Sequence, residues 1–419
     1  MFISKEDIGC SNLVQNNKIY DVQTWFVMLT NRYEINRSRM SVIFQYSDLV
    51  TLINIAKPRA RRAGPGLLSI NGVPKARPLP QTLLPLARKL ALLNNGDRKR
   101  ILKDHNLGSD VPLKNLDRIV SSYAMQMKYD QEFNSKIKGE EIAREVDGGE
   151  FKDLGFAFQE LGFCMMELGL CLARVCDRLI GGSELEQSLL QSGTAKGRLI
   201  HYHSVTDNIA IKEAANGKRR GRGGKVSLRE DVKLDNAGNL NLWQQWHYDY
   251  GIFTILTAPM FMLTNGNDAQ ECESPSGHMY LQVFHPETNR VLMVKASKGS
   301  FIVQVGESAD VLSKGRLRAT LHSVCRPAKM DNLSRETFVA FLQPAWSKTF
   351  SLSNYPIERL TLVDRDSESC NEESNGSTQK IHEIVPPLFS RLRHGMTFAE
   401  FSRETTKQYY GGSGLQSNR

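Results

Sequence analysis

Several things are scarce in this 419-residue chain, and each scarcity excludes a class of protein. No uninterrupted apolar run reaches the ~20 residues that a membrane-spanning helix needs. The start, Met1-Phe2-Ile3-Ser4-Lys5-Glu6-Asp7, lacks a basic segment followed by an apolar one, so no secretory leader is expected. Seven cysteines, odd in number and without regular spacing, predict free thiols in a reducing compartment rather than a disulfide framework. Cys164, Cys171 and Cys176 fall in one helical stretch and read as small buried apolar residues. A phosphate-cradling loop is also missing: Gly224-Lys225 is followed by Val226 and lacks the upstream glycine of a P-loop.

Acidic charge is short by nine, and the shortage is local. Lys57, Arg59, Arg61 and Arg62 form one run without an acidic residue; Lys218, Arg219, Arg220, Arg222 and Lys225 form another. Together they equal the whole surplus, and the rest of the chain is balanced. Two isolated clusters do not make a groove along a phosphate backbone, so nucleic acid is not the expected partner. Residues 214 to 240, which include the 218–225 run, read as a solvated insertion between strands, with an electrostatic contact to an acidic partner or RNA as the lesser alternative.

What is present is ordinary globular composition, 40% hydrophobic and 24% charged, ample for a core. The central stretch is Trp246-His247-Tyr248-Asp249-Tyr250-Gly251-Ile252-Phe253-Thr254-Ile255-Leu256. Its aromatic and β-branched residues predict one β-strand, on which His247 and Asp249, two apart, share a face. A second histidine, His322, stands in Leu321-His322-Ser323-Val324. Two imidazoles and one carboxylate can hold a ferrous ion on one side and leave its other positions open. Further on, Arg335-Glu336-Thr337-Phe338-Val339 is strand-like, with Arg335 and Thr337 on one face, a guanidinium and a hydroxyl fit to clamp a carboxylate.

His-x-Asp, a distal His and Arg-x-Thr, in that order on successive strands, resemble the plant-type Fe(II)- and 2-oxoglutarate-dependent dioxygenases, with the isopenicillin N synthase-like fold. Two more segments carry the likeness: Gly64 to Pro74, similar to the first core strand, and Val305 to Gly315, similar to the strand and turn that deliver the distal His. The resemblance spans roughly residues 64 to 350. It implies a mixed α and β chain built on a double-stranded β-helix, or jelly roll, with supporting N-terminal helices. It also implies His247, Asp249 and His322 as catalytic iron ligands, with Arg335 and Thr337 binding 2-oxoglutarate. Tyr202 matches the Tyr of a co-substrate-binding Asn-x-Tyr, with Ile200 in place of the Asn. Fe(II), 2-oxoglutarate and O₂, with ascorbate as a further cofactor, would oxidise a small organic metabolite, by hydroxylation in the leading reading. Relatives act in plant secondary metabolism, and hormones, flavonoids, alkaloids and lipids are equally open as substrates. Two alternatives stand beside this: a same-fold Fe(II) oxidase that does not use 2-oxoglutarate, and a non-catalytic interaction protein working through the basic loop.

The remaining pattern divides the chain into 1–63, an extension; 64–197, a helical part with the first core strand; 198–350, the jelly-roll core; and 351–419, a tail. Pro80 to Leu93 and Phe151 to Ile180 read as helices, the second with Gly155, Gly162 and Gly169 at seven-residue spacing for close approach to a sheet. His201 and His203 read as polar residues at a strand edge, His105 as a surface or capping residue, and His278 and His285 as turn residues. Asn265 to Gly277 reads as an added loop. Asp364 to Gln379 is acidic, Ser-rich and expected to be disordered, while Thr397 to Tyr410 predicts a closing helix. A monomer in the cytoplasm, or the nucleus, is expected.

Overall fold

The computed structural model describes residues 42–45, 66–73, 75–129, 149–217, 242–265, 268–286, 288–328, 330–356, 381 and 384–410. Both basic runs, the acidic serine-rich stretch and most of the N-terminal extension lie outside the described residues.

The strands are β1 (Val42–Gln45), β2 (Leu67–Asn71), β3 (Val120–Lys128), β4 (Thr194–Tyr202), β5 (Leu242–His247), β6 (Phe253–Thr257), β7 (Met260–Asn265), β8 (Asp268–Cys272), β9 (Leu281–His285), β10 (Arg290–Met293), β11 (Phe301–Val305), β12 (His322–Cys325) and β13 (Leu333–Leu342). The helices are α1 (Pro78–Leu92), α2 (Asn95–Asp104), α3 (Leu154–Ile180), α4 (Glu184–Ser192), α5 (Val205–Gly217), α6 (Glu307–Leu312), α7 (Leu388–Arg391) and α8 (Phe398–Tyr410).

Two sheets face each other. The larger runs β1-β2-β11-β6-β13-β4-β3, with β7 joining β13 and carrying β8; the smaller runs β10-β9-β12-β5. From β4 onward the chain crosses repeatedly between them: β5 is in the small sheet, β6 in the large, β9 and β10 in the small, β11 large, β12 small, β13 large. That alternation is the expected jelly roll. The space between the sheets is lined by Ile200, Leu256, Val283, Ile302, Val324 and Val339, inward-facing residues of both layers.

The outer face of the large sheet is covered by α1 and α3. Proline at the start of α1 costs no hydrogen bond there, and Leu83, Leu84, Leu86, Ala87 and Leu90 are buried as its apolar stripe. Helix α3 is long and apolar enough to cross a membrane by length and composition alone. Most of that apolar window is buried within the fold. Its glycines explain the close fit: a Cβ at Gly162 would stand 2.0 Å from Met127 Sδ, and one at Gly169 would stand 2.1 Å from Leu342 Cδ2. Each glycine costs about 1 kcal/mol of helix propensity, which the burial of even one Leu or Phe, ~1.5–3 kcal/mol, outweighs.

Three expectations need correction. The 246–256 stretch is two strands, not one. β5 ends at His247, the chain turns through Tyr248 to Ile252, and β6 begins in the other sheet. Asn265 to Gly277 is not simply a loop, because Asp268–Cys272 pairs back on β7 and extends the large sheet. The part expected to be helical with only the first core strand also holds β3, which pairs with β4 along its whole length.

Candidate metal and co-substrate site

His247 closes β5 and His322 opens β12, and the antiparallel register sets them directly opposite each other. Their ring centroids are 4.2 Å apart. Asp249 reaches the same point from the turn after β5: Oδ1 lies 3.7 Å from His247 Nε2, and Oδ2 lies 3.8 Å from His322 Nε2. One donor atom from each residue falls within 4.8 Å of the other two, the spacing of atoms that can share one cation. Cross-strand register and a sharp turn bring them together, rather than the single strand face expected from the sequence.

The turn that carries Asp249 is held from the far side. The backbone N–H groups of Gly306, Glu307 and Ser308, at the start of α6, donate to the carbonyls of Ile252, Asp249 and Gly251, at 2.9, 2.8 and 3.0 Å. Only glycine fits at 306, since a Cβ would meet the Gly251 carbonyl oxygen at 2.1 Å. Thr254 Oγ1 donates to Asp249 Oδ2 at 2.6 Å and fixes the carboxylate rotamer.

Both imidazoles are oriented the same way. His247 Nδ1 lies 2.8 Å from the Gln245 carbonyl and His322 Nδ1 lies 3.0 Å from the Thr320 carbonyl. A carbonyl only accepts, so each Nδ1 carries the proton and each Nε2 presents its lone pair to the shared point. Burial, reinforced by the neighbouring His322, lowers the His247 pKa to about 4, which keeps its ring neutral as a ligand must be. Two neutral nitrogens and one anionic oxygen suit a divalent first-row metal with room for further ligands.

Deeper in the same cavity, Arg335 and Tyr202 are register partners across β13 and β4. The guanidinium is 1% exposed and uses Nε to donate to the Met279 carbonyl at 3.0 Å, leaving its terminal nitrogens. Burial lowers its pKa, and among the described residues no carboxylate lies within ion-pair distance of it. A buried cation without a counter-ion is costly unless an anion arrives, so this corner suits a ligand carboxylate. Thr337 lies two residues along β13 on the same wall, its hydroxyl 3.3 Å from that of Thr257. The Tyr202 hydroxyl donates to Gln244 Oε1 at 3.0 Å, and Gln244 Nε2 donates to His247 Nε2 at 3.0 Å. Gln244 therefore ties the two halves of the site and must release that lone pair when a metal binds.

Gln244, Thr254 and Gln304 escaped the sequence reading. Gln304 lines the cavity with a buried, unpartnered Nε2. Gln244 stands an odd number of residues from His247 and so lacks the two-residue signal that marks a shared strand face. His201 and His203 also differ from expectation. They are wholly buried on the other face of β4, not at an edge. His201 Nδ1 lies 2.7 Å from Glu336 Oε2, and Nε2 lies 3.5 Å from Asp207 Oδ2, so it does have carboxylate partners.

A cavity of about 1000 Å³ joins the His247, Asp249 and His322 cluster to Gln244, Arg335 and Thr337. Residues 235–344, which contain His247, Asp249, His322, Arg335 and Thr337, match the family model of the 2OG-Fe(II) oxygenase superfamily. The chain carries a 2OG-Fe(II) oxygenase domain. It is an enzyme domain, and Fe(II) and 2-oxoglutarate are its family's cofactor and co-substrate. The fold is shared with a full-length Neurospora crassa protein solved in complex with alpha-KG and 5-formyluracil. That match has 12% identity and a TM-score of 0.50, covering 90% of this chain and 98% of that one. A dioxygenase for auxin oxidation from rice is also similar, at 16% identity and TM-score 0.44, covering 72% of this chain and 83% of the other. No curated protein matches the chain in sequence.

Proposed function

We propose that His247, Asp249 and His322 hold one Fe(II), and that Arg335, Thr337 and Tyr202 hold the distal carboxylate of 2-oxoglutarate. The observation that carries this is the convergence of three donor atoms within 4.8 Å, beside a buried guanidinium with an open hydrogen-bonding edge. Bound iron would supply O₂ activation coupled to decarboxylation of 2-oxoglutarate, with hydroxylation of a small organic molecule as the outcome.

The protein's part is orientation. Arg335 pairs with the remote carboxylate through its terminal nitrogens, and Thr337 Oγ1 adds a hydroxyl on the same wall. Tyr202 covers the guanidinium, 5.0 Å from ring centroid to Cζ, and keeps water off it. Thr254 and the backbone behind Gly306 keep Asp249 facing the metal rather than solvent. Burial of the cavity wall strengthens each of these interactions by lowering the local dielectric.

An oxidase of the same fold would need no anion beside Arg335, and the uncompensated buried guanidinium favours the 2-oxoglutarate reading. The enzyme would act as a monomer, in the cytoplasm or nucleus, with no nucleic acid among its partners. Its division would run as an extension to residue 63, a helical part to 197, the catalytic core to 350 and a tail to 419. Anaerobic titration tests the assignment: a visible absorption band that requires both Fe(II) and 2-oxoglutarate is expected, and succinate should form only when both are supplied with O₂. Succinate-independent substrate oxidation would favour the oxidase.

A further inference from the structure

The wall of the cavity beyond the co-substrate corner carries more positive charge than that corner needs. Strand β4 turns Lys196, Arg198, Ile200 and Tyr202 inward, alternate residues of one face. Register places them opposite Phe341, Val339, Thr337 and Arg335 of β13. Arg198 is therefore about 13 Å along the strand from Tyr202, at ~3.3 Å per residue. Phe341 is flanked by Lys196 on one side and by Thr254 on the other, and Thr254 is the residue that binds Asp249. Lys196 and Arg198 thus stand at the metal's end of the cavity, two strands from the ligand carboxylate, while Arg335 stands at the opposite end.

The charges there do not cancel. Asp110 Oδ2 is ion-paired with both Lys196 Nζ, at 2.9 Å, and Arg198 Nε, at 2.5 Å. Asp117 on the rim is neutralised by Lys212 at 2.6 Å. Two cations against one carboxylate leave one positive charge on a partly enclosed surface. Beside them the wall is apolar: Val339 and Phe341 form the floor, and the Arg198 guanidinium lies 4.8 Å over the Phe341 ring. A neutral or cationic guest would leave that surplus standing in a low-dielectric cavity, whereas an anionic guest would relieve it.

We infer that the oxidised substrate is an organic anion with an apolar body, a carboxylic acid, whose carboxylate is held by Lys196 and Arg198 while its carbon skeleton lies over Val339 and Phe341 toward the metal. This rests on the iron and 2-oxoglutarate assignment above. Asp110 acts as the stand-in anion that the substrate carboxylate must share the two cations with.

The test is equilibrium binding, under anaerobic conditions with Fe(II) and excess 2-oxoglutarate, of three acids and their primary amides: 3-phenylpropanoate, 4-cyclohexylbutanoate and octanoate. At least one acid should bind about tenfold or more tightly than its amide, the size expected for charge-assisted hydrogen bonds. Lys196→Gln and Arg198→Gln should each remove most of that preference, and Arg335→Gln should retain it. Asp110→Asn should tighten acid binding, a gain that loss of a purely structural ion pair would not give, and it serves also if the cation variants fail to fold. Equal binding of every acid and its amide overturns the inference, as does a preference lost only in Arg335→Gln or weakened in Asp110→Asn. Binding of 2-oxoglutarate is measured in parallel without the acids. Its failure would overturn the metal and Arg335 assignment and leave the acid–amide comparison standing.

Discussion

Arg335 and Tyr202 face each other across the β13–β4 ladder, the guanidinium carbon 5.0 Å from the phenol ring centroid, both almost wholly removed from solvent. Under the proposed function, the pair would build an anion-binding corner from two residues 133 positions apart. Arg335→Gln is expected to weaken 2-oxoglutarate binding by about ten- to a hundredfold, the loss of one or two charge-assisted hydrogen bonds, while Fe(II) retention stays. Tyr202→Phe keeps the ring over the cation and should cost only a fewfold; Tyr202→Ala should cost more. Calorimetric titration of 2-oxoglutarate into the metal-loaded variants reads all three.

A second prediction concerns pH. His201 is wedged between Glu336 and Asp207, and Asp207 is in turn bound by Arg88 at 2.8 Å. His203, the other titratable group packed there, is held neutral by burial and by His201 itself, its Nε2 2.8 Å from Ser121 Oγ. Although burial opposes it, the two carboxylates raise the His201 pKa to about 9. A folded-state pKa above the unfolded value, ~6.5, means the stabilisation is complete below the unfolded value and is lost as pH rises through the folded one. The melting temperature should therefore fall between pH 7 and 9.5. Glu336→Gln removes the stronger of the two carboxylate attractions, so that variant should start lower and show a shallower fall over the same window.

Gly306 gives a third. A methyl at this position meets backbone, the Gly251 carbonyl at 2.1 Å and the Asp249 carbonyl at 3.0 Å, and backbone cannot swing aside as a side-chain end can. Gly306→Ala should displace the turn bearing Asp249, lower stability by about 1–3 kcal/mol and weaken metal retention. Gly162→Ala, whose new methyl meets the flexible Met127 thioether, should cost less and leave the metal site untouched. Chemical denaturation and Fe(II) content of the purified variants separate the two.

The jelly roll, and the convergence of the three residues that could hold a metal, were legible because chemistry and order sufficed for them: His-x-Asp, a distal His and Arg-x-Thr stand close to short strands bounded by turn residues. The local geometry was not. An aromatic, β-branched run from Trp246 to Leu256 reads as one strand, and the Asp249 turn is set by α6, more than fifty residues on. His201 and His203 read as edge residues because Glu336 and Asp207 are recruited by the β4–β13 register and by α5, neither visible in a local window. The Lys196-x-Arg198-x-Ile200-x-Tyr202 alternation was present in the sequence, but its meaning depends on Asp110, which lies 86 positions before Lys196.

The most direct measurement is the Fe(II) content of the anaerobically reconstituted protein, wild type against His247→Ala, Asp249→Ala and His322→Ala. One iron per chain in the wild type, and loss of binding by at least a hundredfold in each variant that remains folded, is the expected result. Undiminished iron binding in all three variants would contradict the account.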